Sequence, residues 1–408
     1  MDETPVLTTT PSEGLQALVS DVMSIESVSQ MQGDAPGMLF RGRLTTDSES
    51  AYDRLAPGFE DLGKTLLLRR EGTTDIVVAI PRLPTPGAPN PLVNLVLFVL
   101  TLLSVGYTGL ITGASYLQPG AGSPSDLDLA APGAILLGAA FTATFLGILL
   151  AHEFGHYLAA RGHGARVSLP YFIPFPGTLL GTMGAAIRML APPRNRKTLL
   201  DIGMAGPLAG LAVAVPLLLI GLSLSQVGNL PATSAEFSGI SLEGNSIFYL
   251  AAKYLVKGEL LPAPADLGGV PPLVYWARYL LLGVPTPIGG RDVLLHPVAW
   301  AGWAGLMITA FNLIPVGQLD GGHAVYVLLG NRARAFYPFV VGGLLLMGFV
   351  WAGWWLWAVL ALLLGRAYAQ PLDDVTPLDP RRRWVAGLGL VLFFLLFIPV
   401  PLRFFGAG

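Results

Sequence analysis

The sequence predicts a polytopic α-helical membrane protein, with about six or seven transmembrane helices, behind a small N-terminal α+β soluble domain. Composition is the first reason. Of the 408 residues, 53% are hydrophobic and only 12% are charged, with a mean hydropathy of +0.61. A soluble globular chain carries about 25% charged residues, so most of this one belongs in lipid. The second reason is a series of apolar runs near the roughly 20 residues that span a hydrocarbon core. The third is their placement, because all of them follow residue 90.

Composition also excludes. A net charge of −2 provides no electrostatic footprint for nucleic acid. The absence of cysteine removes disulfides, thiol catalysis and Cys-ligated zinc, so any metal must take His, Asp or Glu. The abundance of glycine (50) and proline (34) suits broken helices and loops packed at membrane depth.

Residues 1–90 form the expected soluble domain. Its start, Met1-Asp2-Glu3-Thr4-Pro5, has neither a basic nor an apolar region and does not read as a signal peptide. Leu15 to Ile25 reads as a helix, Met38 to Leu44 as a strand, and Asp47 to Phe59 as a helix capped by Thr46 or Asp47. Thr65 to Arg70 and Asp75 to Ile80 read as strands joined by a turn at Glu71–Thr74. A Pro-rich linker, Leu83 to Pro91, leads to the membrane domain, 91–408.

The apolar runs lie at about Leu92–Leu117, Pro132–Ala160, Leu199–Leu224, Pro297–Leu313 and Phe336–Leu364, with a last span at about Trp384–Val400. The run from Phe336 is too long for one upright helix. It reads as a tilted helix or as a hairpin turning near Gly348–Gly353. Arg and Lys set the orientation. Arg69, Arg70 and Arg82 precede the first span. Arg161, Arg166, Arg188, Arg194, Arg196 and Lys197 lie between the second and third, while Gln118–Ala131 has none. The positive-inside rule puts the N-terminal domain and the end of the second span in the cytoplasm. Arg366 and Arg381–Arg383 fall inside too if the long run is a hairpin, which favours that form. Asn245–Lys257 reads as an amphipathic helix lying on the outer surface.

The chemistry gathers at His152-Glu153-Phe154-Gly155-His156, at the end of the second span. Histidines four apart share one helix face, so both imidazoles can reach one metal ion, and Glu153 can address water on it. This is the HExxH arrangement of zinc hydrolases. The bland alternative is a pair of helix-end histidines at the membrane surface. Only five histidines occur in the chain, and two flank a glutamate at ligand spacing. Ionisable groups at membrane depth are functional by default. A catalytic zinc needs a third protein ligand, and Asp320 is the candidate. It follows Pro315 and Gly317, which break the fourth span at the membrane edge; alone, Asp320-Gly321 would read as a surface turn. Helix lengths of about 28 Å from Gly133 to His152 and about 23 Å from Pro297 to Asn312 bring both towards the cytoplasmic side. Residues 225–296 must therefore contain zero or an even number of crossings.

With these residues in place, the chain resembles the site-2 protease family of intramembrane zinc metalloproteases. His152, Glu153 and His156 match its first motif, and Asn312, Pro315, Leu319, Asp320 and Gly321 match its second. Gly181 to Ala185 resembles its Gly-x-x-Gly segment in a membrane-associated β-hairpin. Ala205 to Gly210 is similar to the start of its third core helix. The resemblance covers about 131–330 firmly, and the N-terminal unit and C-terminal end more weakly resemble the chloroplast and bacterial branch that includes the plant Egy-type proteases.

The resemblance implies one Zn²⁺ per chain on His152, His156 and Asp320, Glu153 as general base, and Asn312 as donor to the oxyanion. It also implies a single-span membrane-protein substrate, bound as an added strand beside Gly181 and Gly184. Two rival readings are a membrane hydrolase of lipidated peptides and a non-catalytic metal-binding membrane protein. His163 and His296 read as interfacial side chains, and His323 as a helix-start residue. Asp201 reads either as a partner of a metal-bound histidine or as a carboxylate favoured by the helix dipole. The Trp351–Trp357 cluster reads as an interfacial belt.

Overall fold

A computed structural model describes residues 11–31, 37–84, 86–119, 124–233 and 241–404. The opening Met1–Pro5 segment lies outside the described residues. The chain divides into two compact units, one of Met1–Ala88 with Met189–Leu200 and Ala369–Arg383, the other of Pro89–Arg188, Asp201–Tyr368 and Trp384–Gly408.

The first unit contains α1 (Pro11–Ser20), β1 (Met23–Met31), β2 (Gly37–Leu44), α2 (Ser48–Asp61), β3 (Lys64–Glu71) and β4 (Thr74–Pro81). Its antiparallel sheet has the order β1-β2-β4-β3. The Asp47 carboxylate caps α2 by accepting from Ser50 N at 2.9 Å. Ala51, Tyr52, Leu55 and Phe59 then share one helix face and are buried. Fully burying Phe59 is worth about 1.5–3 kcal/mol. The helix expected through Ile25 ends at Ser20, and residues 23–31 form an unforeseen edge strand. Only one of its positions is buried, so no alternation marked it. The unit also recruits distant chain: Leu68 N donates to Leu372 O at 2.9 Å, and Asp373 N donates to Arg194 O at 2.7 Å.

The second unit starts with α3 (Pro91–Leu117) and α4 (Pro132–Gly162), packed against each other. A hairpin follows, β5 (Tyr171–Pro174) and β6 (Thr182–Ala186), paired Tyr171↔Ala186 and Phe172↔Ala185. Next come α5 (Arg196–Leu224), whose first turn lies in the other unit, β7 (Gln226–Asn229), β8 (Ser241–Glu243), α6 (Ile247–Lys257), α7 (Pro272–Leu282) and β9 (Arg291–Leu294). The chain continues through α8 (Pro297–Asn312), α9 (Asp320–Leu329), α10 (Ala333–Met347), α11 (Gly353–Leu364), α12 (Pro380–Leu396) and β10 (Leu402–Phe404). Among the described residues, α3, α4 and α5 are long and apolar enough to cross a membrane. Helix α8, at 16 residues, is shorter but buried along most of its length.

Two pairings position the later helices. Strand β7 leaves α5 and β9 enters α8, and they pair antiparallel, so the two helix ends meet. The long Phe336 run breaks into α10 and α11, and Tyr337 Oη near the start of one donates to Leu362 O near the end of the other. It is a hairpin rather than one tilted helix. Gly348 packs against the Trp355 ring at its tip, where an added Cβ would lie 2.5 Å from the indole.

Candidate metal centre

The site is built where α4 meets α8 and α9, inside the second unit. His152, Glu153 and His156 are all buried, in the last third of α4. One helical turn stacks the two imidazoles with ring centroids 4.9 Å apart and planes at 72°. Their Nε2 atoms come within 3.2 Å of each other. Asp320 enters from the first turn of α9, and its Oδ2 lies 3.4 Å from each Nε2. The helix break at Pro315–Gly317 is what brings it there. After α8 ends at Asn312, the loop turns through Val316 N to Ile314 O at 2.8 Å, and α9 begins at Asp320 itself.

These three atoms form a nearly equilateral triangle. A tetrahedral zinc with bonds of about 2.0–2.2 Å requires ligand atoms about 3.3–3.6 Å apart. The observed 3.2, 3.4 and 3.4 Å meet that requirement within about 0.1 Å. The donor chemistry agrees. His156 Nδ1 donates to the Ile202 carbonyl oxygen at 2.7 Å. A carbonyl only accepts, so the proton sits on Nδ1, and Nε2 keeps a free lone pair pointing into the triangle. The residues present therefore fit a divalent metal.

Two more groups complete the surroundings. Asn312 Nδ2 lies 3.4 Å from His152 Nε2, which puts the amide beside the triangle. Glu153 is only 4% exposed, and the backbone amide of Ile187, one residue past β6, is close enough to interact with its carboxylate. The hairpin thus ends against Glu153.

The two hairpin glycines have different surroundings. Gly181 (φ +73°) abuts α3: an added Cβ would come within 2.7 Å of Val105 Cα, and Ser104 Oγ donates to the Gly181 carbonyl at 2.6 Å. Its close backbone approach is to α3. Gly184 (φ +106°) is buried and donates its N–H to Thr182 Oγ1 at 3.0 Å, although an added Cβ there would meet nothing within 4 Å. Asp201, read either as partner of a metal-bound histidine or as a helix-dipole carboxylate, pairs with His163 Nε2 at 2.9 Å, and it is the carbonyl of its neighbour Ile202 that accepts from His156 Nδ1. His296 caps α8 by accepting from Val298 N, and His323 packs against Gly203 in the first turn of α9.

Sequence reasoning missed Ile187, Ile202 and Gly206. A backbone carbonyl has no sequence signature. Gly206 had one, since it sits in the Ala205–Gly210 stretch, where its lack of a side chain admits His156. An added Cβ would fall 2.1 Å from His156 Nε2.

Residues 140–351 match Peptidase family M50. The chain is 32% identical over 323 residues to the probable zinc metalloprotease EGY1, chloroplastic, of Arabidopsis thaliana, covering 76% of this chain and 53% of that protein. It is 31% identical over 384 residues to the probable zinc metalloprotease EGY2, chloroplastic, of Oryza sativa subsp. indica, covering 90% and 62%. The corresponding values for the probable zinc metallopeptidase EGY3, chloroplastic, of Arabidopsis thaliana are 28% over 268 residues, 62% and 41%. The chain therefore spans less than two thirds of the length of these curated relatives. No solved structure matches it.

Proposed function

This chain belongs to peptidase family M50, and we propose from that premise that it is an intramembrane zinc metalloprotease of the site-2 type. Its reaction is hydrolysis of a peptide bond in or near the transmembrane helix of a single-span membrane protein. The observation that carries this reading is the ligand triangle with Glu153 beside it, at the end of a 31-residue apolar helix. A ligand-only metal site has no need of a buried carboxylate next to its first histidine.

His152, His156 and Asp320 would hold one zinc ion per chain. When bound, zinc supplies a Lewis acid that makes water a nucleophile near neutral pH and polarises the scissile carbonyl. Glu153 takes the proton of the attacking water and returns it to the leaving amine. Its burial keeps bulk water from competing for that proton. Asn312 donates its amide N–H to the developing oxyanion. The substrate helix unwinds locally, because its carbonyls are otherwise hydrogen-bonded along the helix. The freed strand adds to the hairpin beside Gly184, where an added Cβ would meet nothing within 4 Å, and Ile187 leads to Glu153. Gly181 serves that surface indirectly, by seating the hairpin on α3.

The wider architecture we propose is a soluble domain at 1–90 and a membrane domain at 91–408, with a catalytic core at about 131–330. Helices α3, α4, α5, α8, α10, α11 and α12 make up to seven spans. Parity supports the α10–α11 hairpin as two of them. Strand β10, after α12, pairs with β8, between α5 and α8, so both belong on one side of the membrane. Only an even number of crossings in the long run allows this. Trp354, at the start of α11, donates to Pro399 O at 2.7 Å, just past α12, as two crossings require. By charge, the N-terminal domain and the Arg161 end of α4 face the cytoplasm, and the β8 side faces away.

The test is incubation of the purified, zinc-loaded protein in detergent with candidate single-span proteins and with a lipidated peptide, each with and without chelator. Chelator-sensitive cleavage of the single-span proteins supports the reading. Cleavage of the lipidated peptide alone indicates the membrane-hydrolase reading, and metal binding without any cleavage indicates the third.

A further inference from the structure

Against the loop that joins Asn312 to Asp320 lies an apolar cavity of about 210 Å³ that the proposed chemistry does not use. One wall is the loop from Leu313 to Leu319, through Ile314, Val316 and Leu319; the other is the α10–α11 hairpin, through Leu344, Trp357 and Ala361. Gln318 is the polar side chain on its lining. The walls are preformed. Ile314, Val316, Leu344 and Ala361 are buried in one packed cluster with Trp354, and Phe311 holds the Trp357 ring at 4.5 Å between centroids.

The position of the first wall identifies the occupant. The loop is the short connection between Asn312, beside the triangle, and Asp320, one of its corners. Leu319 lines the cavity and is covalently joined to Asp320. A peptide whose carbonyl sits at the triangle has its neighbouring residues only about 3.8 Å away per step. The wall at Leu319 is one such step from the Asp320 corner, on the scale that separates a flanking residue from the scissile carbonyl. Its volume admits a large side chain, since a water occupies only about 30 Å³, and its lining offers such a side chain little but carbon.

We propose that this cavity is the specificity subsite of the protease, taking a large apolar side chain of the substrate next to the scissile bond. The proposal rests on the metalloprotease reading and adds a substrate class: transmembrane segments with a Leu- or Phe-sized residue flanking the cleaved bond. Because a membrane helix is rich in such residues, selection comes from which of them reaches the cavity once the helix has unwound.

The test uses the full-length, zinc-loaded protein and a single-span substrate whose cleavage site is mapped by mass spectrometry. Ala, Leu, Phe and Trp are placed in turn at each flanking residue, and kcat/KM is measured for wild type, Ala361→Phe and Trp357→Ala. Zinc content verifies that each variant keeps its site. At one flanking position wild type should favour Leu or Phe over Ala by at least about 10-fold, the scale of apolar-pocket discrimination. Ala361→Phe, which fills the cavity, should lower that Leu:Ala ratio by about 10-fold. Trp357→Ala, which enlarges it, should raise the Trp:Leu ratio by a similar factor. Two variants of opposite sign keep the test decisive if one of them folds poorly. Cleavage with no side-chain preference at either position, or variants that change every substrate equally, overturns the subsite and leaves the protease reading standing. Failure of wild type to cleave any panel member overturns both.

Discussion

His156 donates its Nδ1 proton to the main-chain carbonyl of Ile202 across 2.7 Å, and Gly206, one turn further along the same helix, leaves the space its ring occupies. Helix α5 thus sets both the tautomer and the position of the proposed ligand His156 carried by α4. A methyl group at 206 would stand 2.1 Å from His156 Nε2. Gly206→Ala should therefore displace the imidazole and lower bound zinc well below about one per chain. Gly147→Ala, where an added Cβ meets nothing within 4 Å, is the matched control and should keep its metal. Elemental analysis of the two purified proteins decides this, and equal zinc in both would contradict the role of Gly206 in making room for the ring.

The polar cluster between α5 and α8 provides a pH dependence. Burial and the nearby Asp292 carboxylate push the Glu243 carboxyl from 4.5 up to about 7, against the opposing Lys253 ammonium, with Tyr249 Oη donating to it at 3.0 Å. The folded protein keeps this proton where an unfolded chain has released it. Its stabilising contribution is thus complete below about pH 4.5 and lost as pH rises through about 7. Thermal midpoints of wild type in detergent should fall from about pH 5 to about pH 8, and Glu243→Gln, which cannot ionise, should fall less. Parallel curves would show that Glu243 ionises without strain.

Topology is testable because the sequence contains no cysteine. Ser125 precedes α4 and Arg161 is in its last turn, and both are exposed. Single Ser125→Cys and Arg161→Cys proteins should be labelled by an impermeant maleimide from opposite sides of intact vesicles. Labelling of both from one side would remove α4 as a span.

Much of this was legible in the sequence, for physical reasons. Apolar runs near membrane length marked α3, α4 and α5 to within a few residues, and Asp47 marked the start of α2. The i, i+4 histidines announced their shared face, and Asp320 arrived at the triangle from far along the chain. What escaped depends on contacts with no local pattern. Strand β1 is mostly exposed and does not alternate. Asp373 is wholly buried and joins residues far from it in sequence through main-chain pairing with Leu68 and Asn195. Gly181 was legible as a residue that lets backbones approach, but not that the partner is α3.

Asp320 and Asn312 should separate by the kind of loss they show. If Asp320 is the proposed third ligand, Asp320→Asn should lower zinc affinity together with activity, and added metal should recover part of both. Asn312→Ala would remove only the proposed oxyanion donor, so zinc should stay and the rate should fall by on the order of 10²-fold. Metal titrations run beside a cleavage assay provide the comparison. Loss of zinc from Asn312→Ala would reassign its amide from the oxyanion to the metal.

The most direct test of the central claim is the cleavage rate of Glu153→Gln on a transmembrane substrate, measured with its zinc content. Glutamine nearly matches glutamate in shape, and Glu153 is not a corner of the triangle, so the variant should fold and hold about one zinc. Its amide cannot take the water proton, and general base catalysis is typically worth 10²–10⁴-fold, so the rate should fall by at least about two decades. Zinc retained with the rate lost is the predicted result. Cleavage near the wild-type rate would contradict the account and leave the triangle as a metal site with another task.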